Sequence, residues 1–353
     1  MSSVEREHRG AAGAALAAAA LFGASTPLAK ALIGDVGPIL LAGLLYLGSG
    51  IGLWVFRIAR DRGLGATHLV RSDWPWIAGA ILTGGVVGPI LLMYGLTRVS
   101  AAGASLLLNL EAVFTALIAW WVFRESANRR TALGMALIVG GGVALAWPSA
   151  GRAGASVSGA ATVAGACLCW ALDNNLTRRV SAADPVFIAA SKGLIAGSTS
   201  VMLALALGAT FPSPVLALAA AGVGLGGYGI SLVLFVLALR GLGSARTGAY
   251  FATAPFVGSV LAVALLREPV SWPFWGAAVL MAAGVWLHLT ERHEHEHVHE
   301  ALTHTHAHRH DAHHLHQHAF AWDGGEPHTH EHHHEPQRHA HPHYPDVHHR
   351  HGH

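Results

Sequence analysis

Four polar residues interrupt two long apolar runs of the sequence. Asp173, Asn174 and Asn175 lie toward the end of one run, and Lys192 lies near the start of the next. At a rise of about 1.5 Å per residue, Asp173 and Lys192 would lie at similar depths in helices built from these runs, so an ion pair is geometrically possible. Charges in hydrocarbon are costly and should face a protein interior or a water-filled cavity. Two interpretations, which do not exclude each other, stay open: a structural ion pair and a substrate-facing site.

Glu111 is a carboxylate near the middle of another apolar run, which also contains Asn109. A lone acid at that depth is either a hydrogen-bonded structural group or a group that faces a cation or a proton path. Tyr94 and Tyr228 lie close to glycine-rich stretches where helix breaks are expected, and they are further candidates. The candidate site therefore comprises Asn109, Glu111, Asp173, Asn174, Asn175 and Lys192, with Tyr94 and Tyr228.

The composition is that of a polytopic membrane protein. The chain has 353 residues, of which 52% are hydrophobic and 12% charged, and it has 42 glycines, far from the balance of a soluble domain. Apolar runs of about 18 to 25 residues recur, separated by short loops that hold nearly all the arginines. The alternating strands of a membrane β-barrel are absent. Cys167 and Cys169 fall inside one run and are expected to be small core residues, not a disulfide.

The predicted fold is an all-α polytopic membrane domain of ten transmembrane helices in two inverted five-helix repeats, followed by a disordered C-terminal tail. The first run continues through Pro27 and Lys30 and is too long for the apolar region of a signal peptide, so we interpret it as a retained helix. We expect a cytoplasmic N-terminus at 1–10, a first repeat at 11–147, a linker at 148–158, a second repeat at 159–290 and a tail at 291–353.

The second half of the membrane domain repeats the first. At a shift of 148 positions Lys30 aligns with Arg178, and at a shift of 143 positions Glu125 aligns with Glu268. The glycine-rich fifth and tenth helices align at a shift of 142. Two repeats of five helices are the simplest explanation of these matches. Because five is an odd number, the two repeats must cross the membrane in opposite directions.

Basic residues indicate which side of the membrane faces the cytoplasm. An excess of Lys and Arg marks the cytoplasmic side, so both termini are predicted to be cytoplasmic, in a protein of the cell (inner) membrane. One side holds Arg6, Arg9, Arg57, Arg60, Arg62, Arg71, Arg124, Arg129, Arg130, Arg178, Arg179, Arg240 and Arg246. The other side holds only Lys30, Arg98, Arg152 and Arg267.

Inverted repeats are an architecture of transporters. They place a substrate site near the membrane midplane, and one repeat moves against the other during alternating access. Residues 84–89 and 222–229 contain helix breakers at corresponding places, where backbone polar groups could line a cavity, although tight helix packing is the preferred interpretation for most of these glycines. No constellation of a nucleophile and a base lies outside the helices, so no enzymatic activity is predicted.

Three stretches resemble the EamA-type transporters of the drug/metabolite transporter superfamily. They are FGASTPLAK in the first helix, SLLLNLEAVFTALIAWWVFRES in the fourth and ATAPFVGSVLAVALLREPVSW in the ninth. The resemblance covers about residues 11–290. It implies ten helices and the export or exchange of small organic molecules, often amino acids, other metabolites or drugs, by secondary carriers.

One departure from the family's pattern changes the expected coupling chemistry. Members typically have Glu-Pro in the fourth and ninth helices, whereas this chain has Glu111 followed by Ala112, and Ala254 followed by Pro255. The departure leaves one carboxylate, so a proton-coupling role would fall on Glu111 alone or together with Asp173. The sequence DNNLTRR is also more polar than the sixth helix usually is in this family.

The predicted function is secondary-active transport, as an exporter, of a small organic metabolite by alternating access. Glu111 would be the coupling or cation-facing carboxylate, and Asp173, Asn174 and Asn175 would orient the substrate. Lys192 would neutralise Asp173 or receive an anionic substrate group. No cofactor is predicted to be required. The expected partners are the lipid bilayer, a small-molecule substrate, transition-metal ions and a second copy of the chain in a homodimer, but no nucleic acid.

Histidines dominate the last part of the chain. Of the 27 histidines, all but His8 and His68 lie at or beyond His288. Too few apolar residues remain there to bury a core, so the tail is predicted to be disordered without ligand. Closely spaced imidazoles suit nickel, zinc, cobalt or copper, and many alternative ligand sets give labile sites. The candidate ligands are His293, His295, His297, His299, His304, His306, His308, His310, His332, His333 and His334.

Three roles of the tail stay open. It collects a metal that the membrane domain exports, it senses metal or pH and gates the transport of another solute, or it is a dispensable buffer. Histidine charge rises as pH falls below about 6.5, which would draw the tail to an anionic membrane surface. At the midplane the membrane domain offers few metal ligands beyond Glu111, Asp173 and Cys169. A divalent-metal efflux carrier or membrane metal sensor is therefore the second hypothesis.

Overall fold

The computed structural model describes most of the chain, in two compact units. The units are Met1–Glu291 and Arg292–His353, and each is considered by itself. The described residues are 3–61, 71–123, 129–147, 156–178, 184–290, 293–299, 302–308, 328–334 and 337–343.

The first unit is all-α. Its described residues form fourteen α-helices, which combine into ten membrane segments because four segments are each built from two helices. The predicted architecture of ten helices is confirmed. The helices are α1 Ser3–Leu32, α2 Pro38–Asp61, α3 Trp74–Ala80, α4 Gly88–Leu96, α5 Ala101–Leu107, α6 Leu110–Phe123, α7 Arg129–Ala146, α8 Val157–Arg178, α9 Pro185–Ala206, α10 Pro214–Gly224, α11 Ser231–Leu242, α12 Ser244–Phe251, α13 Ala254–Leu266 and α14 Trp272–Leu289.

The helices are long and apolar enough for a multi-pass membrane protein. Within the described residues, eight segments have the length and hydropathy of a membrane span, and Trp272–Leu287 is a shorter apolar helix. The segment α8 has 22 residues but is not among the eight. Its polar residues Asp173, Asn174 and Asn175 lower its mean hydropathy. Three of the eight candidate site residues thus lie on a helix that falls short of the hydropathy of a membrane span.

The third membrane segment of each repeat contains a π-helical insertion. Ile81–Val87 joins α3 to α4, and Leu225–Ile230 joins α10 to α11. In the first repeat Pro89 contributes to the break, since proline donates no backbone hydrogen bond and its ring crowds the preceding turn. Such π-helical turns leave carbonyl groups outside the regular hydrogen-bond ladder, where side chains can reach them.

The fourth and ninth membrane segments, predicted as continuous helices, are each broken by a short turn. The turn between α5 and α6 is stabilised by the Asn109 side-chain amide, which donates to the Leu106 carbonyl at 2.8 Å. The turn between α12 and α13 is stabilised by the Thr253 hydroxyl, which donates to the Tyr250 carbonyl at 2.6 Å. Short polar side chains compete with the helix for backbone groups, which explains why both helices are interrupted there.

Corresponding helices of the two repeats pack against each other through small residues. The segment α2 packs on α9, and α7 packs on α14. A Cβ atom added at Gly50 would lie 2.4 Å from the backbone nitrogen of Leu194, and one at Gly284 would lie 2.6 Å from the carbonyl oxygen of Gly134. Close backbone approach through glycine is a common basis of helix association in membranes. These contacts join the two repeats into one unit.

A buried arginine ties α2 to α9 near one end of this helix pair. Arg57 is 2% exposed and forms an ion pair with Asp184 at 3.4 Å. Its guanidinium carbon lies 4.9 Å from the ring centroid of Phe187 and 5.6 Å from that of Trp54. The two aromatic rings and the carboxylate together offset the cost of burying the guanidinium group.

Asp184 also caps the start of α9. Its carboxylate accepts a hydrogen bond from the Val186 amide at 2.9 Å and one from the Arg60 guanidinium at 2.5 Å. Burial by itself would raise the pKa of Asp184, but these hydrogen bonds favour the charged form and hold the pKa of the carboxyl below its ordinary value. The carboxylate is therefore ionised at neutral pH.

The second unit contains two antiparallel pairs of seven-residue strands. The first strand pairs with the fourth, and the second pairs with the third. This strand pairing was not predicted from the sequence. Isolated two-stranded pairs are at best marginally stable in water, which agrees with the prediction of a segment too poor in apolar residues to build a core. The strands are β1 His293–His299, β2 Leu302–His308, β3 His328–His334 and β4 Gln337–His343.

Candidate functional site

Asp173 and Lys192 form an ion pair between α8 and α9. The Lys192 ammonium group donates to one carboxylate oxygen of Asp173, and the Thr177 hydroxyl donates to the other at 3.1 Å. Asp173 is only 4% exposed. A buried carboxylate with two such partners is held in a fixed position, so the geometry of the structural ion pair is present in the fold.

The first π-helical segment lies directly against this ion pair. A Cβ atom at Gly84 would lie 2.0 Å from a carboxylate oxygen of Asp173, so only glycine leaves room for the carboxylate. The carbonyl oxygen of Gly84 accepts hydrogen bonds from the Tyr46 hydroxyl at 2.8 Å and from the Trp170 indole at 3.0 Å. The broken helix is thereby joined to α2 in its own repeat and to α8 in the other.

Glu111 lies in the first turn of α6, just after the break in the fourth membrane segment. The side-chain amide of Asn174 donates to a carboxylate oxygen of Glu111 at 2.8 Å. Glu111 also interacts electrostatically with Asp173 and Lys192. The structure therefore brings Glu111, Asp173, Asn174 and Lys192 into one cluster, with side chains from both repeats.

Asn109 and Asn175 are predicted site residues whose amide groups bind their own helices. The amide of Asn109 donates to the backbone within the break described above, and that of Asn175 donates to the Ala171 carbonyl at 2.8 Å. Both side chains are buried. Tyr94 lies on α4 with 38% of its surface exposed, and among the described residues no hydrogen bond or ring contact joins its side chain to the cluster.

Tyr228 lies beside the cluster as part of an aromatic group. Its ring centroid is 5.5 Å from that of Tyr46 and 6.1 Å from that of Phe22. The group continues from Phe22 to Phe251 at 5.2 Å and from there to Phe235 at 4.9 Å. Because Tyr46 also donates to the Gly84 carbonyl, it connects the aromatic group to the polar cluster.

Three residues that contact the cluster, and a fourth that lies near it on α6, were missed from the sequence. Tyr46, Trp170 and Thr177 contact the ion pair or the broken helix, as described above. Thr115 lies one turn after Glu111, and its buried hydroxyl has no hydrogen-bond partner among the described residues. Residues four apart lie on the same helix face, so this spacing was a signal available for Thr115 and, from Asp173, for Thr177. No comparable signal existed for Tyr46, since its partner is a backbone carbonyl on another helix.

The charges of the cluster divide into a neutral pair and a single acid. Asp173 and Lys192 cancel each other, whereas the described contact of the Glu111 carboxylate is with a neutral amide. An acid in this position is able to exchange a proton or to face a cation. The cluster therefore combines one ionisable group, amide and hydroxyl groups, and aromatic faces, which suits reversible binding of a small polar molecule.

The described residues contain no group of three or more potential metal ligands. Among the predicted metal ligands, His310 lies outside the described residues. The structure describes only the backbone of the other predicted ligands, and that backbone lies in the four strands. They are His293, His295, His297, His299, His304, His306, His308, His332, His333 and His334.

Comparison with known proteins identifies the family to which the membrane unit, Met1–Glu291, belongs. The model of the EamA-like transporter family matches residues 10–147 and 157–290. An uncharacterized transporter of Methanothermobacter thermautotrophicus is 29% identical over 287 residues, which cover 77% of this chain and 84% of that protein. A crystal structure with 22% identity superposes with a TM-score of 0.59 over 78% of this chain and 95% of that chain, which supports the fold.

Shorter relatives match part of the chain. A probable 4-amino-4-deoxy-L-arabinose-phosphoundecaprenol flippase subunit ArnE of Pseudomonas fluorescens is 34% identical over 103 residues, 29% of this chain and 88% of that protein. The corresponding Pseudomonas aeruginosa subunit is 37% identical over 110 residues, 30% of this chain and 93% of that protein. With both halves of the membrane unit matched by the family model, the chain belongs to the EamA-like transporter family.

Proposed function

We propose that this protein is a secondary-active exporter of a small organic metabolite that works by alternating access in the inner membrane, with both termini in the cytoplasm. The observation that carries the proposal is the cluster of Glu111, Asn174, Asp173 and Lys192, which is built from both repeats. A site shared by two inverted repeats becomes open to either side when the repeats move. The excess of arginine on one side supports the orientation.

In this proposal Glu111 is the coupling carboxylate. It exchanges a proton or interacts with a cationic group of the solute, because no cation lies in direct contact with it among the described residues. Asn174, whose amide donates a hydrogen bond to Glu111, orients the solute beside that carboxylate. The fixed pair of Asp173 and Lys192 supplies one charge of each sign. The faces of Tyr46 and Tyr228 supply apolar contact area.

Similarity to the ArnE subunits supports an organic solute. Those proteins are named for a lipid-linked amino sugar, an organic substrate with a polar head group. Two functions of the histidine-rich tail fit with such a carrier: labile binding of nickel, zinc, cobalt or copper, and regulation of transport in response to that binding.

The test is a flux assay in inside-out membrane vesicles. Nickel, cobalt and zinc are compared with a panel of amino acids and other metabolites, for the full chain and for a chain that ends at Thr290. Metabolite flux that survives truncation supports the proposal, and loss of its response to added metal upon truncation assigns regulation to the tail. Metal flux that disappears upon truncation would instead identify a metal exporter with a collecting tail.

A further inference from the structure

Asn174 is an exposed residue on the face of α8 that packs against other helices. Leu172, an exposed apolar residue, lies on the opposite face, since at about 3.6 residues per turn it is about 160° from Asn174 around the helix. On the side of Asn174, Cys167 is fully buried with its thiol at the Leu107 carbonyl of α5, and the Trp170 indole reaches the first π-helical segment. The exposed surface of Asn174 therefore borders a space within the helix bundle.

The charges next to this space sum to one negative charge when Glu111 is ionised. Glu111 is half-buried and accepts a hydrogen bond from the Asn174 amide at 2.8 Å. Among the described residues, the charged groups that interact with it are Asp173 and Lys192, which neutralise each other. Charge complementarity between a site and its ligand determines specificity. The complement of this site is a solute with one positive charge.

Two tyrosines beside Glu111 already use their hydroxyl groups within the protein. Tyr46 interacts electrostatically with Glu111, and its ring centroid lies 5.5 Å from that of Tyr228. The Tyr46 hydroxyl donates to the Gly84 carbonyl, and the Tyr228 hydroxyl is hydrogen-bonded to Ser25. Both side chains are only half-buried, so they offer ring surface to a solute. An aromatic ring attracts a cation through its face and provides apolar contact area for the rest of the molecule.

We propose that the transported solute is an organic monocation, namely a protonated amine with an apolar body about the size of an aromatic ring and without a carboxylate. Its ammonium group binds the Glu111 carboxylate and the Asn174 side-chain oxygen, and its body packs on Tyr46 and Tyr228. A carboxylate on the solute would need a cation of its own, and Lys192 is already paired. The inference rests on the proposed function, for which it names the substrate class.

The test compares three small molecules that differ by one group. Phenethylamine is a monocation, 2-phenylethanol replaces its ammonium group by a hydroxyl group, and phenylalanine adds a carboxylate. Binding of tritiated phenethylamine to the purified full chain is measured by equilibrium dialysis, with the other two as competitors. Phenethylamine should bind saturably, and each competitor should need an at least about tenfold higher concentration to displace it, because a charge-assisted hydrogen bond is lost or a carboxylate is left unpaired.

Variants assign the binding to the proposed residues. Glu111→Gln should weaken phenethylamine binding about tenfold or more, through loss of the charge. Tyr228→Leu should weaken it about three- to thirtyfold, whereas Tyr228→Phe, which keeps the ring, should bind like the natural protein. Asp35→Asn removes an acid at an exposed position between α1 and α2 and should leave the affinity unchanged. Thermal unfolding and size-exclusion chromatography establish that each variant is folded and monodisperse.

Four results would overturn the substrate class. They are the absence of saturable phenethylamine binding, equal displacement by 2-phenylethanol, equal or stronger displacement by phenylalanine, and natural affinity in folded Glu111→Gln. Because binding is measured without transport, the two proposals fail separately. Flux of other metabolites in vesicles without phenethylamine binding rejects only the substrate class. Binding that depends on Glu111 and Tyr228, without flux of any solute including amines, rejects only the proposed function.

Discussion

The third membrane segment of each repeat contains a π-helical segment, and the fourth contains a two-residue turn. In the first repeat these breaks lie at Ile81–Val87 and Leu108–Asn109, and in the second they lie at Leu225–Ile230 and Ala252–Thr253. Even the stabilising contacts correspond, since Asn109 and Thr253 each donate to the carbonyl three residues earlier. The backbone of the two repeats is therefore closely matched at the positions that border the candidate site.

The side chains at these matched positions differ in chemistry. Gly84 in the first π-helical segment faces the Asp173 carboxylate, whereas Gly227, which aligns with it at the shift of 143, faces Ser25, whose Cβ would lie 2.5 Å from an added Cβ atom. After the turn, the first repeat has Glu111 where the second has Ala254. The architecture thus provides two equivalent places for a polar group, and the sequence has placed the ionisable group in only one. Substitutions at individual positions of the two repeats test this difference.

The largest effect on stability is expected from Asp173→Asn. The substitution leaves the Lys192 ammonium without its counter-charge, and breaking one side of a buried ion pair costs about 3–5 kcal/mol. The melting temperature of the purified protein should fall strongly, whereas Asp35→Asn at an exposed loop position should leave it unchanged. The double variant Asp173→Asn with Lys192→Met should recover most of the loss. Equal melting temperatures for the single and double variants would contradict the ion pair.

The second prediction compares the two π-helical segments directly. Gly84→Ala places a methyl group 2.0 Å from a carboxylate oxygen of Asp173 and should destabilise the protein by about 1–3 kcal/mol, the usual cost of overpacking. Gly226→Ala enters open space and should be neutral or slightly stabilising. Thermal unfolding of both variants measures the difference. If both lowered the melting temperature equally, the close approach of Gly84 to the ion pair would be refuted.

The smallest effect is expected where α9 begins. Its first residue is preceded by the capping Asp184, whereas α2 at the corresponding place is preceded by Gly37. Asp184→Ala should cost about 1–2 kcal/mol, because it removes the cap and one carboxylate partner of the buried Arg57, which keeps Asp61 at 3.5 Å. Asp184→Asn should lose less, because asparagine also caps helices. Thermal unfolding at neutral pH tests this order, and a larger loss for Asn than for Ala would contradict the capping role.

Asp184 also gives a pH dependence with a defined sign. Its pKa in the folded protein lies below the ordinary value, so its contribution is present above about pH 4 and is lost as pH falls through the folded-state pKa. The stability difference between the natural protein and Asp184→Asn should be constant from pH 7 to about pH 5 and should shrink below about pH 4. A difference that grew upon acidification would have the wrong sign.

The sequence predicted the number of helices and much of the cluster because both depend on patterns within single segments. Apolar length defines a membrane helix, and Asp173, Lys192 and Glu111 are conspicuous against it. The turn at Asn109 was missed because the helix is broken by a hydrogen bond from one side chain, while the apolar pattern continues through it. Tyr46 was missed because its partner, the Gly84 carbonyl, becomes available only once the helix is broken.

Asn175 and Tyr94 are candidates whose polarity alone did not predict their contacts. Their polarity made them candidates, but helical geometry turns the Asn175 amide toward the Ala171 carbonyl of its own helix, and Tyr94 lies at an exposed position of α4. Which face of a helix a residue occupies depends on the packing of ten segments. A polar residue in an apolar run therefore identifies a helix of interest more reliably than it identifies a contact.

The most direct test of the account concerns Glu111 as the coupling group. Once a transported solute is found, proteoliposomes with the natural protein, Glu111→Gln and the exposed control Thr199→Val are compared for solute counterflow and for accumulation driven by an imposed proton gradient. The account predicts that Glu111→Gln retains counterflow but loses gradient-driven accumulation, while Thr199→Val retains both. Accumulation at the natural level in Glu111→Gln would contradict the account.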